Sequence, residues 1–361
     1  MARTTIPHER PRVVVGVDTH KDVHVARAKN HLGRLLGEKS IPTTAAGYRS
    51  LLAWARSLGE VEAFGIEGTG SFGAGLTRFL IEKGQTVLEV TRPNRQRRRR
   101  NGKSDPADAD AAASAVLSGE ASGLPKSGRG PVEMIRTLRL ARKTAVKAHT
   151  QAINTMKALI VTAAPQLRES LPRSHRSTKP LVSVCAAFGE EPLTSPLAAH
   201  KRALRSLAQR CLQLEAEIKE LAAALDELVA QTAPQLVGRY GVGTDSAAAL
   251  LIAAGDNPER LRSDAAFSSL CGASPVEASS GKTIRHRVNR GGNRDANAAL
   301  HRIVLVRLRW DAPTRAYVER RTKEGRTKRE IMRCLKRYVA REIYGVLAEM
   351  DLALSAPMRP T

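Results

Sequence analysis

Near the N-terminus, apolar residues come in short β-branched blocks closed by charge or glycine. "RVVVGVD" (12–18) predicts a buried strand ending in an acid. "VHVARAK" (23–29) alternates as a second strand, and "RLLGEKSI" (34–41) predicts a third after a turn near Gly33. The spacing in "AAGYRSLLAWARSL" is helical, and "EAFGIEG" (62–68) predicts a fourth strand that ends in Glu67 and Gly68. "GAGLTRFLIEKG" predicts a helix closed by Gly84, and "QTVLEV" (85–90) a fifth strand. A helix opened by Asp105 follows.

Three strands, then helix, strand, helix, strand and an acidic helix, is the order of an RNase H-like fold. In it Asp18 and Glu67 end neighbouring strands. Asp105 and Asp108, three residues apart, share one face of their helix. Beyond this, residues 131–160 predict a long polar helix, and a segment broken by Pro165, Pro172, Pro180, Pro192 and Pro196 predicts loops and short helices. Then Leu207, Cys211, Leu214, Ile218, Leu221, Leu225 and Leu228 repeat at 4-3 spacing. That is a heptad seam, which fits a coiled coil within or between chains, or a core helix of a bundle. "LVGRYGVGTDSAAALLIAAGD" (236–256) places Gly241 and Gly243 between two helical stretches, as in a helix-hairpin-helix whose turn amides hold a phosphate. The alternative is an ordinary tight helix–helix turn. The expected class is α/β plus α. Its expected parts are an RNase H-like domain (1–125), a helical and coiled-coil region (126–232), and a mainly helical C-terminal domain (233–355).

With 361 residues and 42% hydrophobic content, the chain can bury two or three cores. The net charge of +24 suits a polyanionic partner. Aromatics are only 3%, so base stacking is not expected as the main mode of contact. The segment 282–341 carries 19 Lys and Arg against 5 Asp and Glu, far from the acids of the first domain. No apolar run approaches a spanning helix, and the N-terminus lacks a signal-peptide core. Four cysteines far apart, without a CxxC pair, fit a reducing cytoplasm.

"RQRRRRNGKSDPADAD" (95–110) joins a polycation to a carboxylate cluster. Arg97, Arg98, Arg99, Arg100 and Lys103 are expected to hold nucleic-acid phosphates. Asp18, Glu67, Asp105 and Asp108 would repel one another, and Mg²⁺ or Mn²⁺ would relieve this and serve phosphoryl displacement. The plainer reading makes each acid a cap or surface group. Asp22 and Asp110 are weaker candidates, and His20 and His24, with no third ligand nearby in sequence, are expected to decorate a strand and turn. Ser279 and Ser280 precede Gly281 and Lys282; on local signal alone they form a turn.

Five motifs change that reading. "GVDTHKD", "GIEGTGSFG", "GKSDPADADAAASAV", "YGVGTDSAAALLIAAGD" and "LCGASPVEASSGKTIRHRVNRGGNRDANAALH" occur in this order over residues 13 to 310. Together they resemble the DEDD transposases of the IS-one-ten insertion-sequence family, which includes Piv-type DNA invertases. The resemblance implies a RuvC-like domain whose acids match Asp18, Glu67, Asp105 and Asp108, a coiled-coil insertion, and a C-terminal transposase domain. Its nucleophilic serine matches Ser280, with Ser279 the alternative. The family usually has a Lys before the Gly-Asn pair that matches Gly292 and Asn293; Arg290 and Gly291 stand there in this chain.

The resemblance further implies recombination of double-stranded donor and target DNA with an element-encoded noncoding RNA, through a covalent phosphoserine. Lys282, Arg285, Arg287, Arg290 and Arg294, with Gly241 and Gly243, are then expected on nucleic acid. A dimer or tetramer joined through residues 204–228 is expected, in the cytoplasm and on the nucleoid when DNA-bound, with no membrane. Competing readings are a DNA invertase of the same family, a RuvC-type nuclease that uses water, a non-enzymatic nucleic-acid binder, and an actin-like sugar kinase. The basic surplus and the absence of a later phosphate loop speak against the last.

Overall fold

The computed structural model describes residues 11–90, 104–172, 177–257, 260–283 and 285–354, with side chains to 350. The chain divides into two compact units, residues 1–130 with 254–266, and residues 131–253 with 267–361.

The first unit is built on five strands: β1 (Arg12–Thr19), β2 (Val23–Asn30), β3 (Leu35–Pro42), β4 (Glu60–Glu67) and β5 (Val87–Val90). They lie in the order β3-β2-β1-β4-β5. β1 and β2, and β2 and β3, are antiparallel, whereas β1–β4 and β4–β5 are parallel. This mixed sheet is compatible with an RNase H-like domain. Parallel pairs need crossovers, and these are α1 (Ala45–Leu58) between β3 and β4 and α2 (Ala74–Glu82) between β4 and β5. Thr44 caps α1 by accepting from the Gly47 N–H.

Strand periodicity sorts the two faces. Val13, Val15, Val17, Phe64 and Ile66 join Leu51, Leu76 and Leu80 in one core with α1 and α2. The intervening residues face α3 (Asp105–Leu117), an alanine-rich helix whose Ala109, Ala112 and Ala113 are buried. Gly16 and Gly65 pair in register under it. A Cβ on Gly16 would fall 2.1 Å from the Ala109 carbonyl oxygen, and one on Gly65 2.6 Å from Val116. Only glycine lets the helix come this close.

The second unit is helical: α4 (Pro131–Thr162), α5 (Pro165–Ser170), α6 (Lys179–Ala186), α7 (Pro196–Thr232), α8 (Pro234–Val237), α9 (Thr244–Ala254), α10 (Asp264–Leu270), α11 (Arg294–Trp310), α12 (Ala312–Lys323) and α13 (Lys328–Leu354). α9 and α10 each reach across the division between units. Ala152, Ile153 and Met156 of α4 pack with Leu181 and Cys185 of α6 and with Leu204, Ala208 and Cys211 of α7. In the heptad seam Cys211 and Leu225 are buried, while Leu214, Ile218 and Leu221 are half-buried. Several prolines expected to break this region instead start helices. Pro165, Pro180 and Pro196 occupy first-turn positions, where the missing N–H costs nothing. A short hairpin, β6 (Pro275–Glu277) with β7 (His286–Val288), precedes α11. Among the described residues no helix is long and apolar enough to cross a membrane.

Candidate active site

At one end of the first sheet, the β1–β4 register runs Gly16↔Gly65 and Val17↔Ile66. Asp18 and Glu67 each come one residue later, on the strand face that α3 covers. The Thr19 hydroxyl donates to the Glu67 carbonyl at 2.8 Å and ties these strand ends together. Gly68, at φ +70, then turns the chain away, accepting from the Ser71 N–H at 2.8 Å. α3 starts here as well. The Ser104 hydroxyl accepts from the Ala107 N–H, and Asp105 and Asp108 fill the first turn.

His20 completes the cluster. Its Nδ1 lies 3.6 Å from Asp18 and its Nε2 3.9 Å from Asp105. One ligand atom from each of Asp18, His20 and Asp105 falls within 4.8 Å of the others. Asp18 is buried at 8% exposure, whereas Asp105 and His20 are exposed. Burial pushes the Asp18 carboxyl above its ordinary range; His20 opposes this, and Asp108, Asp105 and Glu67 add to it by charge repulsion. The other three sequence-predicted acids therefore all act on Asp18, but Glu67 and Asp108 stand outside the tight three-residue set.

The placement of His20 corrects the expectation that it merely decorates a turn. Its third neighbour, Asp105, lies far along the chain, so local spacing gave no sign of it. His24 lies on strand β2, as expected, and outside this set. It is fully buried and stacked on Tyr48 with centroids 6.0 Å apart, and among the described residues neither ring nitrogen has a side-chain hydrogen-bond partner. Asp110 leaves the cluster for Lys29 (2.8 Å) and Arg27 (3.8 Å) of β2, anchoring α3 to the sheet. Asp22 is exposed.

The donors fit a hard divalent cation. Two carboxylates and an imidazole converge in the cluster, a donor set that a divalent cation can take.

In the second unit, Ser279 and Ser280 lie on a hairpin rather than in a simple loop. Ser280 and Thr283 exchange both backbone hydrogen bonds at 3.1 Å across Gly281 (φ +56) and Lys282. The Ser279 hydroxyl is engaged by its own hairpin, accepting from the Arg285 N–H at 3.2 Å. The Ser280 side chain is exposed, and among the described residues its hydroxyl makes no hydrogen bond. Lys282, Arg285, Arg287, Arg290 and Arg294 are all exposed on or beside this hairpin. Gly241, at φ +78, turns the chain between α8 and α9, and Gly243 accepts from the Ser246 and Ala247 N–H groups at the start of α9. Arg97, Arg98, Arg99, Arg100 and Lys103 lie outside the described residues.

Two family models match the chain, one described as Transposase over residues 15–165, and one as Transposase IS116/IS110/IS902 family over residues 236–319. The chain belongs to the IS110 family of transposases. Together the matches take in more than half of its length and cover both the acidic cluster and the serine hairpin. No curated protein matches the chain. As an IS110-family transposase it is an enzyme of an insertion sequence and its substrate is DNA.

Proposed function

We propose that this transposase cuts and rejoins DNA through a covalent phosphoserine, assisted by a divalent metal and directed by a noncoding RNA. The observation that carries this reading is the buried, charge-repelled Asp18 among Glu67, Asp105 and Asp108. These are the DEDD acids of a RuvC-like centre, and with His20 they would hold Mg²⁺ or Mn²⁺. The cation would neutralise charge on the scissile phosphate.

Ser280 is the nucleophile. Its hydroxyl is exposed and uncommitted, whereas that of Ser279 is bound within the hairpin. Ser280 Oγ forms a new P–O bond and loses its proton, and the bridging oxygen of the cut strand departs as a hydroxyl end, taking up a proton. The phosphodiester bond is conserved, so the strand can be rejoined by the reverse attack of another hydroxyl. Lys282, Arg285, Arg287, Arg290 and Arg294 hold phosphates near the serine, as do the amides around Gly241 and Gly243. The arginine run 97–100 and Lys103 would do so beside the acids.

RNA guidance is supported by the large basic charge and few aromatics, which suit a protein that grips backbones while base pairing reads sequence. Assembly into a dimer or tetramer through residues 204–228 of α7, where Leu214, Ile218 and Leu221 are half-buried, is part of the same reading. The test is mass spectrometry of protein recovered from reactions with element-end RNA and both DNAs, after nuclease trimming. A nucleotide on Ser280 is expected. Cleaved DNA with neither serine modified would make the enzyme a hydrolytic nuclease.

A further inference from the structure

The β6–β7 hairpin, the end of α12 and one face of α13 enclose an open cleft of about 820 Å³ within the second unit. Its charge is one-sided. Arg285 and Arg287 reach it from the hairpin, Arg333 and Lys336 from α13. Among the described residues the three arginines make no ion pair, and Lys336 is held only by the Asn297 side-chain oxygen, at 2.9 Å. The one carboxylate in the lining, Glu330, is committed to the start of α13, where it accepts from the Thr327 N–H and hydroxyl, both at 2.9 Å. Burial, and then the neighbouring Arg333, hold the Lys336 ammonium below its ordinary range. The cleft therefore gathers the exposed Arg285, Arg287 and Arg333 and the half-buried Lys336 around one carboxylate, Glu330. That carboxylate is already bonded to Thr327 and paired with Arg326 at 3.7 Å, which leaves an excess of cations that an external anion would relieve.

A second feature restricts what that anion is. Tyr338 is exposed on the wall of the cleft, and its ring is braced edge-on by Tyr317 at 5.6 Å and 86°. Val288 is exposed on β7. A flat, braced ring beside a row of cations offers a base and its phosphates what each needs. The space is far too small for a duplex and suits a few nucleotides.

We propose that this cleft binds a single-stranded nucleic-acid segment, with a base stacked on Tyr338 and phosphates held by Arg287, Arg333 and Lys336. This rests on the nucleic-acid reading of the basic segment but not on the serine chemistry, because binding is read without cleavage.

Single-stranded DNA, single-stranded RNA and duplex DNA carrying 5-iodouracil would be photo-cross-linked to the full chain. A cross-link mapped to Tyr338 from a single strand is expected, retained in Tyr338→Phe and lost in Tyr338→Ala. The strand type giving more of it identifies the occupant as DNA or RNA. Tyr338→Ala should weaken single-strand binding about tenfold and duplex binding little. Arg333→Gln with Lys336→Gln should lower the log–log salt slope by about 1.4. Cross-links confined to other residues, with unchanged single-strand affinity in Tyr338→Ala, would overturn the proposal. Duplex binding intact in that case would leave the transposase reading standing.

Discussion

Gly16 and Gly65 lie side by side in the parallel pair β1–β4, and α3 rests on both. Two residues further along each strand stand Asp18 and Glu67, and α3 carries Asp105 and Asp108. The two glycines thus set the distance between the acids on the strands and those on the helix. A Cβ at position 16 would meet backbone at 2.1 and 2.2 Å. Gly16→Ala should therefore cost about 1–3 kcal/mol of unfolding free energy. It should also weaken Mn²⁺ binding several-fold, because α3 must lift. Urea denaturation and Mn²⁺ titration by electron paramagnetic resonance would check this; unchanged Mn²⁺ affinity would show that α3 position does not set the site.

Asp18 predicts a metal-dependent stability. Its carboxyl is raised by burial, and further by Asp108, Asp105 and Glu67. The folded state then binds more protons than the unfolded one above pH 3.8, and stability falls as pH rises through the folded value. Asp18→Asn removes this cost, so the metal-free variant should melt above wild type at neutral pH. Metal at a hundredfold over its Kd should add about 2.7 kcal/mol to wild type. It should add far less to Asp18→Asn and His20→Ala. Calorimetry with and without Mn²⁺ reads all three; equal gains in all would place the metal elsewhere.

Much of the first unit was legible in sequence because its periods are clean. The helix expected at "AAGYRSLLAWARSL" is Ala45–Leu58, and the strands that end in Asp18 and Glu67 are indeed neighbours. That adjacency follows from topology, which the order of elements carries. His20 was missed because its contact with Asp105 is set by tertiary packing, not spacing. The Lys29–Asp110 pair that anchors α3 was invisible for the same reason. The β6–β7 hairpin escaped because its strands are three residues long and mostly exposed, so no buried face imposed alternation on "HRV". Pro196 misled in the other direction. Preceded by Ser195, whose hydroxyl accepts from the Ala198 N–H, it opens a 37-residue helix.

His24 predicts an acid sensitivity. Burial lowers its pKa from 6.5, and His20 adds to this. The unfolded state then binds the extra proton, so stability is full above about pH 6.5 and falls as pH drops towards the folded value. His24→Phe should flatten the change in melting temperature between pH 7 and 5. An identical pH profile in the variant would assign the effect to other groups.

Arg139 links three helices of the second unit, meeting Asp245 of α9 and Asp295 of α11, both at 3.1 Å. The Asp295 carboxyl is held below its usual range by Lys143 and then Arg139. Because both aspartates are partly exposed, Arg139→Met should cost about 1–2 kcal/mol rather than the larger cost of breaking a fully buried pair. The difference from wild type should be present above pH 3.8 and vanish as pH falls through the lowered Asp295 value. Chemical denaturation at two pH values measures it.

A denaturing gel tests both the proposed phosphoserine and its dependence on the acids. Purified protein, element-end RNA, donor and target DNA and Mg²⁺ would be combined for wild type, Ser280→Ala and Asp18→Ala. A serine mechanism assisted by the acids gives a covalent protein–DNA band in wild type that is absent from both variants. Cleaved DNA without any such band, or a band that persists in Ser280→Ala, would contradict it.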